Sequence, residues 1–289
     1  MKTCPFLLHA LSPLHAGTGY SAGLIDLPTA RMKATGIPFV PGSSVKGVLR
    51  DARRATDREK TEATFGPSED PGAHAGALVV SDARLLALPV RSFRGTFAWV
   101  TSPLLLVLAK RDLDGRGGDL PIPTIEGYGA QLADGGACSV GGRLYLEDLD
   151  LVVGISPAAG AWASFLAPLA SPGHDIFTAR FAVVDDDTMA FLWETATQVD
   201  ARVRLDEGTK TVAAGALWLE ESLPPESLLI GLLAADRSRR RQVDMSPSEV
   251  LGFALHAEEL LQLGGKATTG RGRCRMVPIL NEEQAHGIA

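Results

Sequence analysis

Between Val199 and Trp218 the chain alternates through Val199, Ala201, Val203 and Leu205, turns at Asp206–Glu207–Gly208–Thr209, and resumes with Val212, Ala216 and Trp218. A period of two puts successive side chains on opposite faces of a strand, and an Asp/Gly turn between two such runs predicts a β-hairpin. This ribbon is too long to belong to a compact core. The fold must therefore be one from which a two-stranded arm can project.

The rest of the chain brackets that arm. Residues 4–11 read as a strand and are followed by a turn-rich loop, 13–28, containing Gly17, Gly19 and Gly23. Val45, Val48, Leu49, Ala52 and Ala55 then recur at helical spacing, with Lys46, Arg50, Arg53 and Arg54 largely off that stripe and Ser43 or Ser44 as the expected N-cap. Strands are expected at 77–88, 96–101, 179–184 and 227–234, and a buried helix at 103–111. The glycine- and aspartate-rich stretch 112–157 reads as an insertion. Ser246–Pro247–Ser248–Glu249 is a capping box with proline at the first helical position; Leu251, Ala254, Leu255, Glu258 and Leu261 continue that helix to Gly264–Gly265. A last strand covers 272–279. The order strand, helix, strand, insertions, strand, helix, strand is that of an α+β, ferredoxin-like (βαββαβ) domain spanning 1–289, with insertions at about 112–157 and a hairpin at about 197–222.

Charge narrows the function. The net charge is −6, which argues against a protein that coats nucleic acid indiscriminately, yet the cations are clustered: Lys46, Arg50, Arg53 and Arg54; Arg237, Arg239, Arg240 and Arg241; Lys266, Arg271, Arg273 and Arg275. A local basic channel needs only local charge. Cys4, Cys138 and Cys274 are far apart, so neither a zinc knuckle nor a disulfide framework is indicated, and a reducing, cytoplasmic setting is expected. No apolar run is long enough to span a bilayer.

Three segments can carry chemistry. In Pro41–Gly42–Ser43–Ser44–Val45–Lys46–Gly47 the glycine, a helix N-terminus and the lysine together suit a phosphate; the same residues also describe an ordinary helix start. Gly264–Gly265–Lys266–Ala267–Thr268–Thr269–Gly270–Arg271–Gly272 can curl amides and cations around a sugar-phosphate backbone, or simply be a helix cap and a turn. Asp26, in Leu24–Ile25–Asp26–Leu27–Pro28, is either an acceptor for backbone amides or a catalytic carboxylate, and His15 shares its loop. Asp185–Asp187 reads as a solvated turn rather than a metal cluster, and no Walker or dinucleotide fingerprint is present.

These residues also form an ordered series. His15–Ala16–Gly17, Asp26–Leu27–Pro28, Thr35–Gly36–Ile37–Pro38, the segment from Pro41 to Arg50, Val80–Ser81–Asp82–Ala83–Arg84, the segment from Arg94 to Pro103, the segment from Gly215 to Pro225 and the segment from Leu263 to Gly272 follow one another over nearly the whole chain. The series resembles the backbone RAMP subunit, the fourth Cmr subunit, of type III-B CRISPR effector complexes. The resemblance implies an RRM-like palm, copies stacked head to tail along a CRISPR RNA guide beside other Cmr subunits, and a hairpin thumb that interrupts the guide–target duplex. It implies that Asp26 is needed to cleave target RNA with a divalent metal, Mg²⁺ or Mn²⁺, held weakly and completed by RNA phosphate. His15 takes the place of a nearby loop histidine, and Lys46 that of a guide-contacting lysine. Ser43, Ser44, Arg50, Gly264, Gly265, Lys266, Thr268 and Arg271 are the other expected RNA contacts, and Glu220 and Glu221 could share in the site. A non-catalytic RNA scaffold and the equivalent type III-A subunit are the alternatives; a nucleotide-dependent small-molecule enzyme lacks its motif.

Overall fold

The computed structural model describes residues 1–17, 19, 23–67, 74–170, 173–209, 211–240, 242–255 and 257–280, with the backbone alone for 213–215. Its strands are β1 (Lys2–Ala10), β2 (Phe39–Val40), β3 (Leu78–Val80), β4 (Ala83–Ser92), β5 (Thr96–Thr101), β6 (Gly129–Leu132), β7 (Ser139–Val140), β8 (Arg143–Leu146), β9 (Leu149–Ile155), β10 (Phe181–Val184), β11 (Gln198–Leu205), β12 (Val212–Ser222), β13 (Leu228–Ala235), β14 (Glu259–Gln262) and β15 (Arg273–Pro278). The helices are α1 (Gly42–Arg54), α2 (Arg58–Phe65), α3 (Pro103–Leu113), α4 (Pro157–Ala170), α5 (His174–Thr178), α6 (Asp186–Thr195) and α7 (Pro247–Ala254). The architecture is mixed α+β.

One large sheet runs β14-β15-β1-β13-β4-β5-β10-β6-β9-β8-β7. Within it β15, β1, β13 and β4 are each antiparallel to their neighbours, α1 connects β1 to the β3/β4 side, and α7 connects β13 to the β14/β15 edge. Helices cover both faces. Phe6 and Leu8 of β1 pack in one core with Val45 and Leu49 of α1 and with Val250 and Leu251 of α7. Leu7, pointing the other way, joins Leu106 of α3, Trp162 of α4 and Phe177 of α5. A strand buried on both sides reads as a continuous apolar run, which is why the first strand was legible without alternation. Each such Leu or Phe contributes about 1.5–3 kcal/mol by leaving water.

Several sequence expectations are corrected. Neither Ser43 nor Ser44 caps α1: Pro41 holds that position without a side-chain bond, and both serines lie inside the first turn. Gly42 is required there because any side chain would overlap the Val80–Ser81 backbone, against which the helix start is pressed. The expected strand 77–88 is two strands, broken at Ser81–Asp82, where the Asp82 carboxylate accepts the Gly42 N–H at 2.8 Å. The capping box at Ser246 and Glu249 is present, but α7 ends at Ala254; Leu255 is extended (φ −157°) and residues 259–262 are a strand. Gly264–Gly265 consequently belong to a strand–strand connection and not to a helix cap. Asp185 is the N-cap of α6, accepting from the Thr188 N–H at 2.8 Å, so 185–187 open a helix rather than a solvated turn. The stretch 112–157 carries β6 to β9, which extend the sheet.

The hairpin β11–β12 is a separate two-stranded sheet, paired from Gln198–Ser222 out to Leu205–Val212. Cys4, Cys138 and Cys274 are free and buried, and burial raises the thiols of Cys4 to about 11 and Cys274 to about 12, which makes them poor nucleophiles. Among the described residues no helix is long and apolar enough to cross a membrane.

Candidate functional site

The loop after β1 folds back against the root of the hairpin. Leu14 and Leu223 exchange both backbone hydrogen bonds at 2.9 Å, while the Leu27 N–H donates to Leu219 O at 3.1 Å and the Glu221 N–H to Leu27 O at 3.0 Å. Asp26 is fixed by the same strand: its Oδ2 accepts the Leu219 N–H at 2.7 Å, and its carboxylate is only partly buried. His15 Nδ1 lies 2.6 Å from Glu221 O. A carbonyl can only accept, so Nδ1 carries the proton and Nε2 of the neutral ring is the acceptor nitrogen. Asp26 and His15 are thus both tied to β12, at backbone groups two residues apart.

Glu220 and Glu221 lie between them, both essentially buried, at 0% and 2% exposure. Consecutive strand residues face opposite ways, and the partners confirm it. Glu221 accepts the Thr29 N–H at 2.9 Å, the Arg31 guanidinium at 2.6 Å and the Thr197 hydroxyl at 2.8 Å. Glu220, on the other face, pairs with Lys266 and has Arg202 at 3.6 Å and Arg271 at 3.7 Å. Arg271 also donates to Ser222 Oγ at 3.0 Å and to Asp200 at 2.5 Å, and that bond holds the Asp200 carboxyl below its ordinary pKa. Two carboxylates on opposite faces cannot converge on one ion. Among the described residues no group of three His, Cys, Asp or Glu side chains is placed to hold a metal.

The expected RNA contacts fall in three places. His15, Ser44, Gly264 and Gly265 line a cleft of about 310 Å³ together with Leu27, the neighbour of Asp26. Gly264 is needed there because a side chain would overlap the His15 carbonyl. Ser43 and Lys46 line a second cleft of about 460 Å³, with Arg239. Lys46 Nζ donates to Leu78 O at 3.0 Å; burial first, and the charge of Arg50 second, lower its pKa. Arg50 turns away to Gly66 O at 3.0 Å. Lys266 and Arg271 occupy neither cleft lining, being engaged by the acids of the hairpin, and Thr268 is exposed in a short 3₁₀ turn between them. Arg237 and Arg240 of the second basic cluster pair with Asp244 and with Glu59 and Glu62, while Arg241 lies outside the described residues.

Sequence reasoning missed Arg31, Asp200, Arg202 and Ser222. The signal for the last three was present: they share one face of the hairpin with Glu220, Asp200 directly opposite it, Arg202 diagonal to it and Ser222 two residues on along the same strand.

The sequence matches the RAMP superfamily over residues 7–275. It is 34% identical over 284 residues, 94% of each chain, to the CRISPR system Cmr endoribonuclease Cmr4 of Pyrococcus furiosus. The structure superposes on a crystal structure of oligomeric Cmr4 from Pyrococcus furiosus with a TM-score of 0.76 and 26% identity, covering 96% of this chain and 98% of the other. It shares its fold with a chain of the type III-B Cmr-beta complex bound to cognate target RNA, at a TM-score of 0.75 and 22% identity over 96% and 98% of the two chains. With the family match over most of its length and a relative this similar end to end, the chain belongs to the RAMP superfamily and, within it, to the Cmr4 family.

Proposed function

We propose that this chain is the guide-holding backbone subunit of a type III-B CRISPR effector and that it cleaves target RNA paired to the guide. The observation that carries the reading is Asp26, a partly exposed carboxylate bound to the root of a projecting hairpin in a relative of a Cmr endoribonuclease. On this reading β1, α1, β4, β13, α7 and β15 are the ferredoxin-like palm, and β11–β12 is the thumb. Copies associate head to tail through an interface that does not close, giving an open helix whose length the guide limits.

The chemistry follows from RNA geometry. A hairpin pushed into a guide–target duplex splays a nucleotide out of the A-form stack, so that its 2′-OH can line up behind the adjacent phosphorus. Asp26, with Oδ2 held by the Leu219 N–H, orients or deprotonates that hydroxyl. His15, with Nδ1 fixed on Glu221 O, presents Nε2 within the same loop and can accept a proton or return one to the leaving oxygen. The donor set suits a weak divalent ion rather than a caged one. Mg²⁺ takes one or two carboxylates and fills its remaining sites with water and phosphate oxygens. Asp26 can supply one of these, since, unlike Glu220 and Glu221, it is neither buried nor paired with a cation among the described residues. Such an ion would stabilise charge developing on the phosphate. Base pairing with the guide supplies sequence specificity, leaving the protein to hold backbone and stacked bases.

The test is a complex reconstituted with guide and partner subunits. It should cut a complementary target at regular intervals, leave a non-complementary RNA intact, and stop when the divalent ion is chelated. A complex that binds target but yields no fragments would instead indicate a scaffold. Ser43, Ser44 and Lys46 are the proposed guide contacts on α1, with the amides of Gly264 and Gly265 across the smaller cleft. Lys46→Ala should weaken guide binding and reduce the slope of log K against log salt by about 0.7, the value for one phosphate of a single strand. An unchanged slope in a filter-binding series would remove Lys46 from the interface.

A further inference from the structure

Among the described residues the hairpin shares no strand pairing with the large sheet, so its direction depends on what grips its root. The described residues of the loop after β1 grip β12, through Leu14, His15, Asp26 and Leu27. Arg271 grips both strands at once. Asp200 of β11 lies directly opposite Glu220 of β12, and Gln198 opposite Ser222. The Arg271 guanidinium spans these two pairs, donating from Nη2 to Asp200 at 2.5 Å and from Nη1 to Ser222 at 3.0 Å. Lys266, from the same strand connection, pairs with Glu220, which also has Arg202 from β11 3.6 Å away. Arg271 is itself anchored: its carbonyl accepts the Gln262 amide at 2.5 Å, and the next residue, Gly272, donates its N–H to Pro13 O at 2.9 Å. The rigid fork of a guanidinium suits two-point fixing in a way a lysine does not. On the opposite face of β12, Glu221 and Arg31 hold the strand from the other side.

We infer that Arg271, with Asp200, Ser222 and the Lys266–Glu220 pair, is a positioning clamp that sets the angle of the hairpin and so decides which phosphodiester is presented to Asp26. The inference rests on the function proposed above. Its leverage is geometric. Eight residues of β11 extend roughly 25 Å, so a tilt of about 10° at the root moves the tip by about 4–5 Å, on the order of one nucleotide step. The clamp acts on where the RNA is bent and not on the reacting atoms. Lys266 and Arg271 are also expected from the sequence to contact the guide; the clamp is a role for the side-chain pairs they make with the hairpin.

Two measurements on Asp200→Ala and Arg271→Lys test it. In the reconstituted complex with end-labelled target, the variants should retain bound target but lose single-position cutting, with fragments spread over neighbouring phosphodiesters. In the free chain, spin labels at Ala52→Cys on α1 and Leu205→Cys at the hairpin tip should give a broader distance distribution in the variants; the three native cysteines are buried and stay unlabelled. Fragments as sharp as those of the parent, with an unchanged distance distribution, would overturn the clamp while leaving the nuclease intact. A parent complex that binds but never cuts would overturn the nuclease reading, and the distance distribution would still decide the clamp. A variant that fails to assemble is judged by the same distance measurement.

Discussion

Replacing Asp26 with alanine should lower target cleavage by about 10²–10⁴-fold, the contribution of a positioned acid–base group, while assembly and target affinity stay unchanged. The separation follows from how the residue is held. Its one hydrogen bond at the hairpin root comes from the Leu219 N–H at 2.7 Å, and a bond of that kind adds about 1 kcal/mol net, too little for its loss to unfold the loop. Leu27 keeps its own two backbone bonds to β12, at 3.1 and 3.0 Å, and preserves the loop path. Asp26→Asn sharpens the argument, since the amide oxygen can still accept from Leu219 but no longer takes a proton or carries charge. Both variants should be equally inactive in single-turnover assays with saturating target. Cutting by either variant at the parent rate would remove Asp26 from the chemistry.

Glu221→Ala should instead destabilise the chain strongly, by about 3–5 kcal/mol, the usual cost of deleting one partner of a buried ion pair. Glu221 is 2% exposed and satisfies three groups from separate parts of the chain: the Thr29 N–H, the Arg31 guanidinium and the Thr197 hydroxyl. Alanine removes the acceptor of the Thr29 N–H and of the Thr197 hydroxyl and takes from Arg31 its buried counter-charge, leaving the guanidinium the Trp193 carbonyl at 2.8 Å and the exposed Glu194 at 3.3 Å. The thermal midpoint should fall by on the order of 10 °C, read by calorimetry on the isolated subunit. Glu221→Gln should recover part of the loss, because its amide oxygen can still accept. A midpoint unchanged in Glu221→Ala would mean that solvent reaches this pocket and that the hairpin root is looser than described.

The contrast between Asp26 and the two glutamates also shows which parts of the site were legible. A loop acid flanked by apolar residues and a histidine in the same glycine-rich loop made Asp26 and His15 candidates, and it was the family resemblance that implied their roles. From the sequence the glutamate pair could also share in the site. Its assignment needed strand geometry, which turns Glu220 and Glu221 to opposite faces, and partners nearly 200 residues away such as Arg31. The partners of Lys266 and Arg271 were hidden for the same reason: cations between glycines describe a phosphate loop, and the acids of the hairpin that they pair with lie 46 and 71 residues away.

Local signals served well for the elements. The capping box at Ser246, the apolar stripe of α1 and the alternation of the hairpin all reflect interactions within a few residues. Pairing across the sheet was not legible. Residues 112–157 carry enough glycine and aspartate to read as an insertion, yet β6 is held between β9 and β10; β10 was expected as a strand, but nothing local states which strands pair. Glu258 and Leu261 kept helical spacing with α7 by coincidence, since Leu261 is buried from a strand paired with Cys274.

The central claim is that a loop acid held against the hairpin root becomes a cutter where the hairpin bends paired RNA. It is tested most directly by a structure of the Asp26→Asn complex with guide and intact target. The account predicts the substituted amide side chain beside a splayed nucleotide at each hairpin, within reach of its 2′-OH or scissile phosphate. Continuous, unbent duplex past that side chain, or a distorted phosphodiester far from it, would contradict the account.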